Sequence, residues 1–337
     1  MKIGLVYDLR DDYRAMGFPD EQTAEFDTVE TIDGMAGALQ RLGHDVVRAG
    51  HGRNLAKRFV IGERFDLVFS IAEGLKGRNR EAQVPALCEL FDQPYVFSDA
   101  LTMSVGLDKA MAKRLVRDAG VPTAPFIVVE SASQDLSGWT QYPAFVKPLA
   151  EGTGKGCELG SKVANRAELE NAARGLIHRF RQPALVEAFL PGREFTVGIV
   201  GNGAEARVIG VMEILLGEDA DQGVYSMRNK EESEELCTYR AVTDAEGELV
   251  AARGLTAYRA LDCRDSCRLD FRSDASGSPV FLEANPIAGL HPTHSDLPIL
   301  TGLFGHAYDD LMGWIIEAAA KRYGISEPAS VRKTKVR

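Results

Sequence analysis

Two short stretches near the C-terminal end carry oxygen-bearing side chains at a spacing that suits a hard cation. In "CRLDF", Asp270 stands among apolar neighbours, and in "FLEANPIAGLHPTHSD" (residues 281–296) Glu283 and Asn285 close an apolar run before a donor-rich loop. If the two strands pair as a hairpin, all three side chains meet at one end of a sheet. Buried carboxylates without a partner are costly. A divalent ion bridging them to nucleotide phosphates removes that cost, and an all-oxygen set lacking His and Cys favours Mg²⁺ over zinc. The same residues also read as a salt-bridged strand pair completed by Arg268 or Arg272.

A second cluster lies at "EGTGKG" (residues 151–156), directly after the apolar run that bears Lys147. Glycines let backbone N–H groups approach a phosphate closely, and a lysine at the preceding strand end adds a full positive charge. A solvated hairpin turn is the competing reading. The loop has neither the Walker A nor the Rossmann glycine spacing. Between these clusters, "LVEAFLPGREF" joins an apolar strand to a second acid, Glu194, seven residues after Glu187. A strand edge offering its backbone to a base, followed by a carboxylate for ribose hydroxyls, would serve as a nucleotide hinge.

The elements that must position these groups follow from hydrophobic spacing. Through residue 98, strands ("KIGLVY", "HDVVRA", "FDLVFSI", "PYVFS") alternate with helices ("TVETIDGMAGALQRLG", "EAQVPALCELF"), which predicts a parallel α/β sheet. Residues 101–120 predict one long helix with Leu107, Met111 and Leu115 in register, ended by Gly120 and "VPTAP". Beyond it, "FIVV", "YPAFVKP" and "PALVEAF" read as strands around the helix "NRAELENAARGLIHRF". "REFTVGIVGN" and "ARVIGVMEI" read as an antiparallel pair. The last unit holds the helix "GELVAARGLTAYRAL", the strands "SCRLDFRS" and "PVFLEAN", and a closing helix "AYDDLMGWIIEAAAKRYG".

The 337 residues are 45% hydrophobic and 26% charged, which excludes a disordered or fibrous chain. A formal charge of -10, with basic residues clustered only in the terminal "VRKTKVR", argues against nucleic-acid binding. No apolar stretch is long enough to span a membrane, and "MKIGLVYDLRDD" turns acidic too early for a signal peptide, so a cytoplasmic protein with no membrane partner is expected. The five scattered cysteines read as buried or idle thiols.

Lys109 in "LDKAMAKRL", Lys147 in "FVKP", the loop "EGTGKG", the hinge "VEAFLPGREFTV", Lys230 in "YSMRNK" and "RLDF" followed by "FLEANPIAGLHPTHSDLP" occur in the order of the ATP-grasp enzymes. Together they resemble the D-alanine–D-alanine ligase family over nearly the whole chain. The resemblance implies an α/β (α+β) ATP-grasp fold. Its units would be an N-terminal parallel α/β domain (1–98), a central subdomain with the Gly-rich loop (99–190) and a C-terminal subdomain with the metal site (191–337), the last two enclosing ATP. It implies that Lys109, Lys147, Glu151, Gly152 and Gly154 hold ATP phosphates, Glu187, Ala188, Phe189 and Leu190 the adenine, and Glu194 the ribose. Asp270, Glu283 and Asn285 match ligands of two Mg²⁺ ions, with Mn²⁺ able to replace them. Arg268 matches an arginine serving acyl transfer and the acceptor carboxylate; Thr153 and Lys230 match further catalytic positions. Gly289, His294, Ser295, Asp296 and Leu297 match the loop around the second amino acid. The implied reaction activates a carboxylate as an acyl phosphate that an amine attacks, with amino acids or peptides as substrates and a homodimer by analogy.

Departures concentrate on the acyl-donor side. "YDLRDDYRAMGFPDEQTAEFDTVETI" replaces the family's "SxEHxVS" region, leaving Glu25 or Glu30 as substitutes for its glutamate. "AEGLKGRNREAQVP" replaces "HGxxGEDG", putting Glu73 near the usual histidine with Arg78, Arg80 and Glu81 beside it, and Glu231 replaces a tyrosine. The expectation is an activated carboxylate other than D-alanine, with Arg78 and Arg80 receiving an acidic or larger substrate. A ligase acting on a peptide or carrier-bound group, and a non-catalytic nucleotide-binding relative, are the alternatives.

Overall fold

The apolar run "KIGLV" forms strand β1 (Lys2–Val6), flanked in parallel by β2 (Asp45–Gly50) and β3 (Leu67–Ser70) in the order β2-β1-β3. The structure is a computed structural model and describes residues 1–221, 226, 228–229 and 232–325. Helix Val29–Arg41 covers this sheet with Ile32, Met35, Ala36 and Leu39, the stripe its sequence spacing predicts. "PYVFS" does not become a strand: only Tyr95 bridges to Val68, because Phe97 takes a φ of 75°, which interrupts extended backbone.

A second, antiparallel sheet runs β4-β7-β5-β6, from β4 (Phe126–Val129), β5 (Ala144–Pro148), β6 (Lys162–Val163) and β7 (Ala184–Ala188). Val146, Ala184 and Val186 pack on helix Arg166–Phe180, so strand alternation turns Lys147 and Glu187 to the opposite face. A third, also antiparallel, runs β10-β9-β8-β11-β12, from β8 (Glu194–Val200), β9 (Arg207–Leu216), β10 (Cys237–Ala241), β11 (Ser266–Ser273) and β12 (Pro279–Asn285). Phe195, Leu269, Phe271 and Phe281 are fully buried toward helix Ala245–Ala260, while Glu194, Thr196, Arg268, Asp270 and Arg272 alternate onto the other face.

Alternation alone would put Phe281 and Glu283 on the same face. A β-bulge resolves this: Phe271 pairs with Phe281, yet Asp270 pairs with Glu283, so Leu282 is the extra residue. Phe281 stays in the core and Glu283 is re-aimed beside Asp270.

The expected long helix over 101–120 is two, Ala100–Leu107 and Lys109–Asp118, broken at Asp108 (ψ 94°), whose side chain caps the second by accepting from the Met111 N–H at 3.0 Å. The break rotates the second helix, so Ala110, Lys113 and Val116 are buried while Met111 and Leu115 are exposed. The closing helix Tyr308–Arg322 sends Leu311, Met312 and Ile315 into the core of the first sheet, beside Ile3, Leu5 and Ile32. The N- and C-terminal units therefore share one core. Among the described residues, no helix is long and apolar enough to cross a membrane, and all five cysteines are free.

Candidate active site

The hairpin of β11 and β12 sets Asp270 directly across from Glu283 and Arg268 across from Asn285. Like charges facing each other across an antiparallel pair destabilise it, so this arrangement calls for a cation. Arg268 Nη2 donates to Asp270 Oδ2 at 3.0 Å and Asn285 Nδ2 to the same oxygen at 3.1 Å, while Thr196 Oγ1 donates to Asp270 Oδ1 at 2.9 Å. Lys109 Nζ lies 3.4 Å from Glu283 Oε2. Of the two arginines the salt-bridge reading allowed, Arg268 pairs with Asp270, and Arg272 pairs with Glu194 at 3.1 Å. Two facing carboxylates and an amide oxygen fit a hard divalent ion. Among the described residues no three His, Cys, Asp or Glu side chains converge on one point, so carboxylates and imidazoles alone build no metal cage.

Arg268 also reaches Asp296 Oδ2 at 3.2 Å. Burial works to lower its pKa, but Asp270, Asp296 and Glu283 outweigh that and raise it, so the guanidinium stays charged. Its Nε is buried with no hydrogen-bond partner, a donor available to an oxygen of a bound molecule.

The second and third sheets face each other across a narrow cleft of about 100 Å³, lined by Phe145, Lys147, Glu187 and Asp270 among others. Lys147 Nζ lies 2.8 Å from Glu187 Oε2, and Lys113, fully buried and absent from the sequence reading, lies 2.7 Å from Glu187 Oε1 and donates to the Phe281 carbonyl at 2.9 Å. Burial works to raise the Glu187 carboxyl; the two lysines outweigh it and hold it below its ordinary value. Lys113 falls four residues after Lys109, one helical turn on, which was the available signal. The hinge offers less backbone than its sequence promised: the Ala188 and Phe189 amides already donate to Pro125 and Pro143 carbonyls, each at 3.0 Å. At the cleft mouth, Arg272 and Lys162 lie over the Phe189 ring, 5.4 and 4.1 Å from its centre.

The Gly-rich loop divides between two spaces. Gly154 lines the narrow cleft, whereas Gly152 and Thr153 line a neighbouring cavity of about 680 Å³. The Gly152 N–H is given to the Glu25 carboxylate, which removes it from the phosphate cradle expected of it. Lys109, Glu151 and Glu283 wall both spaces.

The larger cavity brings together Thr153, Arg268, Gly289, Ser295, Asp296, Glu73, Glu25 and Glu81. A Cβ on Gly289 would sit 2.8 Å from Ser295 Oγ and press on the hydroxyl that accepts the His291 N–H at 3.0 Å. His294 Nδ1 lies 3.4 Å from Glu234. Arg78 and Arg80, expected to receive substrate, do not line the cavity. Arg78 is caught by Asp108 at 2.6 Å, and the buried Arg80 is spent on Glu25 and the Ala150 carbonyl, both at 2.8 Å, because a desolvated carboxylate takes the nearest cation. Lys230 and Glu231 lie outside the described residues.

The cavity's acids differ in state. Burial works to raise Glu25, yet Arg80, Lys155 and the Gly152 N–H hold it low. Burial pushes Asp27 up to about 7 and, against opposing Arg80, Glu81 up to about 7; burial and then the charges of Glu81 and Glu25 push Glu73 well above its usual range.

A family model described as D-ala D-ala ligase C-terminus matches residues 115–317. The chain is 32% identical to an uncharacterized protein of Sinorhizobium fredii over 86% of this chain and 88% of that one. It is 30% identical to the D-alanine–D-alanine ligase of Gluconobacter oxydans over 85% and 91%, and 32% identical to that of Bordetella petrii over 80% and 79%. Among solved structures, the D-alanine–D-alanine ligase of Bacillus anthracis complexed with ATP superposes with a TM-score of 0.74 at 20% identity, covering 96% of this chain and 99% of that one. The VanG D-Ala:D-Ser ligase of Enterococcus faecalis gives 0.71 at 21% identity, covering 94% and 99%.

Proposed function

This chain belongs to the D-alanine–D-alanine ligase family of ATP-grasp enzymes, and on that premise we propose how its residues divide the work of joining an amino acid to an amine at the expense of ATP. The reaction is an ATP-dependent ligation. A substrate carboxylate oxygen attacks the γ-phosphorus, the bond to the bridging oxygen breaks and ADP leaves. The amine nitrogen then attacks the acyl carbon, phosphate departs and the nitrogen loses its surplus proton.

In this reading ATP lies in the cleft between the second and third sheets, with its phosphates toward Lys109 and Lys147 and its ribose toward Glu194. Asp270, Glu283 and Asn285 would hold two Mg²⁺ ions, which neutralise charge on the transferring phosphoryl group. Lys109, shared by cleft and cavity, meets the anionic group where it crosses from one to the other. Arg268 offers its buried Nε to the oxyanion that forms during amine attack, a donor fixed in advance by Asp270 and Asp296. Gly289, Ser295 and Asp296 surround the incoming amine, and Thr153 faces the acyl donor.

The observation that carries this reading is the Asp270–Glu283 pairing made by the bulge, which sets Asp270 in the cleft and Glu283 at the wall common to both spaces. Phosphate release from ATP with pairs of amino acids, and mass spectrometry of the product, test it directly. Glu283→Gln should lower turnover by about 100-fold or more, or about 3 kcal/mol, with the circular dichroism spectrum unchanged. Turnover within threefold of the parent would take Glu283 out of the reaction.

A further inference from the structure

The acyl-donor end of the large cavity holds more negative charge than an α-amino group can answer. Several of its carboxylates have cations of their own: Asp296 has Arg268 at 3.2 Å, Glu283 has Lys109 at 3.4 Å, and Glu25 has Arg80 at 2.8 Å. Asp27, Glu73 and Glu81 are different. Among the described residues no lysine or arginine lies within 4 Å of Asp27 or Glu73, although Arg10, which lines the same cavity and donates to the Ala24 carbonyl at 2.6 Å, acts on Asp27 from farther off; Glu81 meets only Arg80, at 3.8 Å, an arginine already committed to Glu25. Glu81 is 8% exposed and still lines the cavity.

An α-ammonium group satisfies one of these acids and leaves the others facing each other in a desolvated wall, which is unfavourable unless a further cation enters. Space is ample: at roughly 30 Å³ per heavy group, taken from the volume of a water molecule, the dozen heavy atoms of two alanines fill about half of the 680 Å³ cavity.

We propose that the acid activated by this enzyme is an amino acid bearing a second cationic group, an ammonium or guanidinium on its side chain, received by Glu73 and Glu81 with Asp27 nearby. This rests on the ligase reading and specifies its donor. Burial and acidic neighbours push the Glu73 carboxyl well up, and an incoming cation takes the place of the proton this favours.

The test uses the full chain with ATP and Mg²⁺, measuring phosphate release and product mass with lysine, ornithine and arginine as donors against norleucine, alanine and glutamate, each in both enantiomers. The expected result is a kcat/KM at least tenfold higher for a basic donor than for norleucine, with Glu81→Gln and Glu73→Gln each reducing that ratio below threefold. Ligation that proceeds equally well or better with a neutral or acidic donor overturns the proposal while leaving the ligase reading intact. Should no pair release phosphate, the ligase reading fails by itself. The proposal is then read from calorimetry with a non-hydrolysable ATP analogue and Mg²⁺: lysine binding at least tenfold tighter than norleucine supports it, and equal or absent binding overturns it.

Discussion

Asp27 shows how one buried acid sets a pH dependence. Burial raises its carboxyl to about 7, so between the unfolded value and that figure the folded chain holds a proton the unfolded chain has released. Stability from this group is fully present below the unfolded pKa and is lost as pH rises through about 7. Asp27→Asn should therefore raise the thermal midpoint by at least about 2 °C at pH 8 and change it little at pH 4, measured by calorimetry; an equal shift at both values would contradict the assignment. At this scale the sequence conveyed chemistry better than direction. Asp270, Glu283 and Asn285 were legible as a set because their types and strand positions restrict what they can do. Arg78 and Arg80 were legible as charges, but which acid each would meet depends on a fold-level encounter with Asp108 and Glu25, far away in the chain.

Among the elements, the break at Asp108 makes Lys109 the first residue of its helix and directs it to the wall between cleft and cavity. Loss of such a cap costs about 1 kcal/mol. Asp108→Ala should lower the unfolding free energy by about that amount and raise the KM for ATP more than it lowers kcat, as steady-state kinetics and urea titration would report. Unchanged ATP affinity would mean that Lys109 is positioned by other contacts. Apolar spacing reads continuously through Leu107, Met111 and Leu115, so periodicity gave no sign of the interruption; the Asp before a helical run was the signal, and it was a local one. The bulge at Leu282 was equally hidden. A strand of period 2 announces its two faces, whereas an inserted residue is decided by packing, here by Phe281 seeking Phe271 at 5.7 Å.

For the molecule as a whole, alternating strands and helices foretold the first, parallel sheet, but not that the last helix would return to it. Leu311, fully buried there, lies beside residues from the opposite end of the chain. Leu311→Ala should cost about 2–5 kcal/mol and shift the unfolding of the whole chain as one transition, seen by fluorescence and circular dichroism together. Two separated transitions would show that the terminal units are energetically independent. The cleft between the other two sheets, about 100 Å³, is well below the roughly 300–1,000 Å³ usual for ligand pockets, so those sheets must part to admit a nucleotide.

One small clasp bears on how such parting is felt elsewhere. Arg80 grips the Ala150 carbonyl and Glu25 takes the Gly152 N–H, so both ends of a three-residue span are fastened to the N-terminal unit. The span is therefore held to the wall of the large cavity at both of its ends. Cleft and cavity thus share a length of backbone, and under the proposed function this tether links the nucleotide's half of the site to the donor's.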